Sequence, residues 1–342
     1  MNESIKKSRV QFLDIARGIA IICIILGHLN NSLINRVVFT FHVPIFFFIT
    51  GYFMSSKYKI GDFIKKKFRT LIVPYIVTCI AMILLGTLEG AIRGNSITEL
   101  KKWSYAAIYG AGDSYSEPFY IPGIGAIWFL WATFWGSIAL RVSLEFEQHI
   151  RIGFIMALFM GGYFSGKIFW FPLSIQAGAC AALFMYIGYI GCCVKDDIKK
   201  FPIEAKTFDL LFSMITWIFF IKDFQSFWLV HCDVGRGIVD IFGCICACIT
   251  VIYISKMLEL KFSNIGKVLG FFGKYSLLVL CVHIIELNLF PWWRIARILV
   301  RMGMPENLQL CFVAIGKLVA DLGCTYIFSK VYVVRKFFGY NS

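Results

Sequence analysis

Charge is what this sequence has least of. Asp, Glu, Lys and Arg together make up 16% of it, against about 25% in soluble domains, and no polar block between its apolar runs is large enough to fold separately. An ordinary soluble enzyme is thereby excluded. The twelve cysteines contain no Cys-x-x-Cys pair, which removes the usual zinc and dithiol frameworks. Most fall in apolar runs, where cysteine behaves as a small hydrophobe, and Cys244, Cys246 and Cys248, spaced by two, scatter around a helix. No metal site is expected. The glycines form no phosphate-loop or dinucleotide fingerprint, and no repeat recurs at a fixed period. No nucleic-acid-binding motif accompanies the net charge of +14. A small-residue cleavage site is missing after the first apolar run, and Asp14 and Arg17 within that run suit no signal peptide, so the run is expected to stay in the chain.

What is present is hydrophobic: 59% of residues, 17% aromatic, with a mean hydropathy of +0.74. The pattern predicts an all-α, polytopic membrane helical bundle forming one domain over residues 1–342. Its partner is the lipid bilayer. About ten spans are expected, near 11–29, 37–54, 70–87, 124–144, 152–166, 170–194, 207–221, 237–255, 268–291 and 308–330. An even number puts both termini on one side. The segments on that side hold 19 Lys and Arg and the opposite set 10, so the positive-inside rule places both termini in the cytoplasm. Arg294, Arg297 and Arg301 run against the rule. Orientation and contact with anionic lipid account for the net positive charge.

The most informative stretch runs from Phe12 to Phe53. Its two apolar segments carry Asp14, Arg17, His28 and His42, each of which costs roughly 2.5 kcal/mol or more within a span. Arg17 and His28 are eleven residues apart, three helical turns plus about 20°, with about 16 Å of rise. They share one face at different depths. Asp14 lies on the same stripe, three residues before Arg17, where a carboxylate orients a guanidinium. The plainer alternative is an interfacial Asp14–Arg17 pair snorkelling at the helix start, with His28 marking its end.

The motifs F-L-D-I-A-R-G-I-A-I, I-L-G-H and F-H-V-P-I-F-F-F-I-T-G-Y-F, covering residues 12–53, resemble the acyltransferase type 3 family of integral-membrane acyltransferases, closest to its fucose O-acetylase-like branch. Relatives usually have Ser at the place of Thr50 and often Met at that of Val43. The likeness is strongest over residues 12–75. It implies an O-acyltransferase of a bacterial plasma membrane that moves an acetyl or other acyl group from acetyl-coenzyme A, as co-substrate, to a hydroxyl of a sugar or polysaccharide acceptor.

The basic loop 55–69 is either a positive-inside loop or a docking surface for the coenzyme's phosphates. The family's basic pair, arginine with two residues between, corresponds here to Lys66 and Arg69. Trp128, in W-F-L, resembles a family block and is a candidate substrate contact, although composition alone reads it as packing. F-G-K-Y-S-L-L-V-L-C-V-H ends in His283, a second candidate substrate contact. His149 and His231 read as solvated loop residues. Lys317 and Asp321, four apart, are expected to pair with each other. Acyl transfer to a hydroxyl needs a base or nucleophile and a group to meet the oxyanion. His28 and His42, with Asp14, are the candidate catalytic set, and Arg17, Lys66 and Arg69 the candidate coenzyme contacts. Pro44 is expected to kink the second span beside His42 and open a cavity. A transporter or acceptor-binding module without catalysis is the alternative function, since intramembrane ionisable groups also mark transport paths; the lack of paired broken helices in matching halves argues against it.

Overall fold

A computed structural model describes residues 10–340; the basic flank at 1–9 lies outside the described residues. The helices in chain order are α1 (Gln11–Gly27), α2 (Ser32–Val38), α3 (Pro44–Tyr52), α4 (Ile60–Lys67), α5 (Val73–Ile92), α6 (Ser96–Tyr109), α7 (Trp128–Ser143), α8 (Gln148–Ser165), α9 (Ile175–Lys200), α10 (Ile203–Lys222), α11 (Ile238–Lys261), α12 (Ser263–Lys274), α13 (Ser276–Leu289), α14 (Trp292–Arg301), α15 (Glu306–Lys330) and α16 (Tyr332–Phe337). Among the described residues there is no strand, only an isolated bridge between Tyr115 and Ile121. The protein is all-helical.

Four stretches are long and apolar enough to cross a membrane unaided: Ile60–Ile92, Pro172–Lys200, Ile238–Lys261 and Glu306–Lys330. A fifth results if α12 and α13, bent by 71°, count as one. About ten spans were expected. The other predicted segments are helical too, but α1 has 17 residues and α7 has 16, below the roughly 20 that a lone helix needs to span hydrocarbon.

The predicted span 37–54 is not one helix. It is α2, a turn over residues 39–43, and α3. Asn31 starts α2 by accepting from the backbone N–H groups of Leu33 and Ile34, and Pro44, with no N–H to give, opens α3 at its first turn. His42 therefore sits in the break. Pro74 has a comparable effect upstream of α5, where its missing donor coincides with the wide π turn Phe68–Ile72 that joins α4 to α5. The predicted span 268–291 is likewise broken, at Tyr275, where the backbone leaves the α12 axis. The first part of the long connection 88–123 is the helix α6, closed by Gly110 in the left-handed conformation (φ 69°).

Two close crossings hold α1 and α3. A Cβ on Gly18 of α1 would stand 2.0 Å from the Leu269 carbonyl oxygen of α12, and one on Gly273 of α12 would stand 1.7 Å from the Asp14 oxygen of α1. The α3–α9 crossing is built the same way, with Gly51 against the Met185 carbonyl at 1.7 Å and Gly188 against that of Phe48 at 1.9 Å. Within apolar surroundings helix association rests on such backbone-close packing. By contrast α15 is mostly bare, only 17% buried over its apolar window, so Lys317, Asp321, Thr325 and Ser329, all buried and spaced by four, mark its one inward stripe.

The α3–α9 crossing leads to a test. Gly188→Ala, in purified protein, is expected to cost about 1–3 kcal/mol through forced separation of the helices and to lower the melting temperature in detergent. Gly323→Ala, on α15 with nothing within 4 Å of the new methyl group, should leave it unchanged or slightly raised. Equal melting of Gly188→Ala and the native protein would refute the crossing.

Candidate active site

His28 follows the last residue of α1, and its Nδ1 lies 2.8 Å from the Ile24 carbonyl oxygen and 3.3 Å from Nε2 of His283 on α13. The two rings meet edge to face, their centroids 5.1 Å apart. His283 in turn places Nδ1 2.7 Å from Oδ2 of Asp321 on α15 and 3.2 Å from Oε2 of Glu286. A carbonyl oxygen only accepts, and so does an ionised carboxylate. Both Nδ1 atoms therefore carry the proton in the resting arrangement: His283 donates to Asp321 and accepts through Nε2, while His28 Nδ1–H points at Ile24 and His283. His28 is left with Nε2 as its basic nitrogen.

Glu286 is held by Lys317, 3.0 Å away, and by the indole N–H of Trp292. The expected Lys317–Asp321 pair is thus corrected. Both residues point inward from the same stripe of α15, and α13 offers each a separate partner. The imidazole of His283 and the carboxylates of Glu286 and Asp321 bring ligand atoms within 4.8 Å of one another, a donor set that suits a divalent ion. Here the Lys317 ammonium supplies the countercharge.

His28 and His42 both line one cavity of about 380 Å³, together with Asn30, Asn35, Phe39, Asp113, Trp128, Phe129, Trp228 and apolar neighbours. His42 Nδ1 lies 2.6 Å from the Val38 carbonyl, so its Nε2 is the basic nitrogen as well. Trp128 reaches the cavity wall because Gly112 leaves room; a Cβ there would stand 2.5 Å from the indole. His283 does not line the cavity. It is fully buried behind His28, its Nε2 3.3 Å from His28 Nδ1, so the structure brings it to His28 and not to the cavity wall.

Asp14 and Arg17 lie at the other end of α1, 3.4 Å apart, and Asp14 is about 21 Å of helix rise from His28. Asp14 cannot act at His28; it steadies Arg17, whose guanidinium also lies over the Phe53 ring, 5.7 Å from its centroid. Lys66 and Arg69 are exposed on α4 and the turn after it, Lys66 with its ammonium 4.6 Å from the Tyr58 ring centroid. Lys67, which the motif comparison passes over, is the residue of this run close enough to Arg17 and Lys66 to feel both charges. Arg141, also missed, is a buried guanidinium that donates to the Ser56 and Tyr58 carbonyls at 3.2 and 2.8 Å and pairs with Glu145. It ties the basic loop to α7.

The loops at the His28 end hold a network that the sequence did not suggest. His231 Nδ1 lies 3.0 Å from the Tyr115 hydroxyl, and its Nε2 3.2 Å from Oδ2 of Asp113. His231 is therefore a loop residue that is both partly exposed and held by two partners. The contact with His231 is the chief cause holding the Asp113 carboxyl below its usual range; burial opposes it, and the Ser114 N–H adds to it.

A family model described as an acyltransferase domain matches residues 10–319. The nodulation protein NolL of Mesorhizobium japonicum is 28% identical over 155 residues, which cover 40% of this chain and 36% of that protein. The match thus spans little more than a third of the relative's length. No solved structure matches.

A carboxyl whose folded value is depressed stabilises above its unfolded value and loses that contribution as pH falls through the folded one. The Asp113 anchor is therefore expected to persist through the ordinary Asp value of 3.8 and to fail below it. Trp170 stacks on Tyr115 and Trp228 on His231, so tryptophan fluorescence should report a transition below pH 3.8 that is absent in Asp113→Asn. A transition shared by both proteins would rule the anchor out.

Proposed function

This chain belongs to the acyltransferase family, and we propose that it is a membrane O-acyltransferase taking an acetyl or other short acyl group from acyl-coenzyme A on the cytoplasmic side and passing it to a hydroxyl of a cell-surface sugar or polysaccharide precursor. The observation that carries this reading is the line Asp321–His283–His28, which ends with a basic nitrogen at the cavity. Such a line is what general-base activation of a hydroxyl requires.

In the proposed reaction the acceptor hydroxyl gives its proton to Nε2 of His28 as its oxygen bonds to the thioester carbonyl carbon. The imidazolium is stabilised through His283 by Asp321. When the tetrahedral intermediate collapses, the carbon–sulfur bond breaks and the proton passes to the departing thiolate. His42, with its own basic Nε2 at the cavity, is the second candidate for that proton. The amide of Asn30, on the same wall two residues past His28, is suited to meet the developing oxyanion.

At the far end of α1, Arg17, Lys66, Lys67 and Arg69 form the cationic face expected to hold the coenzyme's phosphates, with Asp14 orienting Arg17. The distribution of Lys and Arg supports both termini in the cytoplasm of a bacterial plasma membrane, and about ten crossings, the short helices being completed by their neighbours.

The test is transfer or hydrolysis of radiolabelled acetyl from acetyl-coenzyme A by purified protein. His28→Ala is expected to lower kcat by about 10²–10⁴, the usual worth of a positioned base, and Arg17→Ala to raise the KM for the donor. Asp321→Asn should lower kcat while leaving the donor KM near the native value. Turnover that does not distinguish His28→Ala from the native protein would overturn the assignment, and substrate flux independent of coenzyme A would identify a transporter instead.

A further inference from the structure

The cavity wall away from His28 has a chemistry of its own. Phe39 and Trp228 stack at 5.6 Å with their planes 30° apart, and Trp228 continues onto His231 at 5.7 Å and 23°. Phe39 also meets His42 edge to face at 4.8 Å, so this aromatic surface begins beside a candidate base. Two polar groups flank it. The Asn35 side-chain oxygen is buried and has no hydrogen-bond partner, although Asn35 lines the cavity. An unpaired buried acceptor costs about 1–3 kcal/mol, which a donating ligand recovers. Asp113 is the other group, its carboxylate fixed by His231 and by the Ser114 N–H and still holding spare acceptor positions. No Lys or Arg lines the cavity.

Aromatic faces suit an apolar C–H surface, and two acceptors suit hydroxyl donors. A carboxylate on a wall that no Lys or Arg lines disfavours an anionic ligand. At about 380 Å³ the cavity is also near the lower end of small-molecule sites, which run from roughly 300 to 1,000 Å³. That favours one ring over an extended chain.

We propose that this wall is the acceptor subsite and that it takes a single uncharged pyranose ring, with Phe39 and Trp228 against its C–H face, Asn35 and Asp113 accepting from its hydroxyls, and anionic sugars excluded. The inference rests on the acyltransferase reading and narrows its acceptor from sugars in general to neutral ones bound by these four residues.

The experiment measures acetyl transfer from acetyl-coenzyme A by the purified full-length protein to methyl pyranosides of gluco, galacto, manno and fuco configuration. The methyl glycosides of glucuronic and galacturonic acid serve as charged counterparts. At least one neutral pyranoside is expected to have a kcat/KM about tenfold or more above either uronate. Asn35→Leu and Trp228→Ala should each raise the ratio of acceptor KM to donor KM about tenfold, the worth of one buried hydrogen bond in the first case and of one aromatic contact in the second, and Asp113→Asn should narrow the preference over the uronates. Trp293→Ala, an exposed aromatic outside the cavity, controls for general loss of indole. Uronates used as well as neutral sugars, or an unchanged KM ratio in both Asn35→Leu and Trp228→Ala, would overturn the subsite. So would acetyl-coenzyme A turnover that no neutral pyranoside accelerates, while leaving the acyltransferase reading intact. Absence of any turnover of the donor by native protein would instead defeat that reading, and this inference with it.

Discussion

Charges in an apolar interior have to neutralise one another, and in this protein that rule joins α1, α13 and α15. His283 and Glu286 are three apart on α13, Lys317 and Asp321 four apart on α15. Each pair presents one face, so two links form together: His283 to Asp321 at 2.7 Å and Lys317 to Glu286 at 3.0 Å. A slip of one residue between the helices turns both links away at once. Removing a single member leaves its partner buried and uncompensated, at a cost of about 3–5 kcal/mol, whereas the exposed Lys199–Asp196 pair contributes little. Two carboxylates face one ammonium, so the cluster is suited to stabilise the one further positive charge that arises on the His28–His283 line when His28 takes a proton in the proposed reaction.

The glycine crossings set where that line ends. His28 is carried by α1, whose approach to α12 is fixed by backbone contact at Gly18 and Gly273, and His42 precedes α3, fixed on α9 through Gly51 and Gly188. Backbone against backbone leaves little play, unlike contacts between long side chains. Such rigidity matters because misplacing a reacting group by about 1 Å costs on the order of a hundredfold in rate. Pro44 then adds the one irregularity the site needs: the break before it puts Phe39, His42 and Val43 in the cavity wall, with Phe39 and His42 turned to the same space.

Local relations were legible in the sequence and distant ones were not. The placing of Arg17 and His28 on one helix and the largely helical character of the predicted spans follow from spacing and composition, whereas Pro44 predicts a kink within one span where the structure has two helices separated by a turn. The Lys317–Asp321 reading failed for the same reason those succeeded. Spacing of four makes two residues neighbours on a helix, but it is blind to partners 31 and 38 positions earlier on another helix. Tyr115 and His231 are separated by 116 positions, and no periodicity connects them. Asp321 and Glu286 carried a signal all the same, since a carboxylate in a span always needs a partner; their positions asked the question that only the fold answered. The count of spans is a separate matter, with four or five of the described helices long enough to cross unaided. Hydropathy marks helices, but length decides whether each crosses alone, and α1 and α7 are short.

The distribution of charge along α1 gives the proposed reaction its direction. Arg17 with its neighbours Lys66 and Lys67 makes one end cationic, while the cavity at the other end contains no Lys or Arg and presents Asp113. Between them lie about 16 Å of apolar helix. A polyphosphorylated donor is attracted to the first end and repelled from the second. A neutral acceptor is indifferent to both fields and is selected by stacking and hydrogen bonds. In the proposed reaction the two substrates are therefore kept apart until the acyl group, the one uncharged part of the donor, reaches His28. Ordering by electrostatics in this way requires no moving gate, because the chemistry becomes possible only where the uncharged ends of both substrates meet.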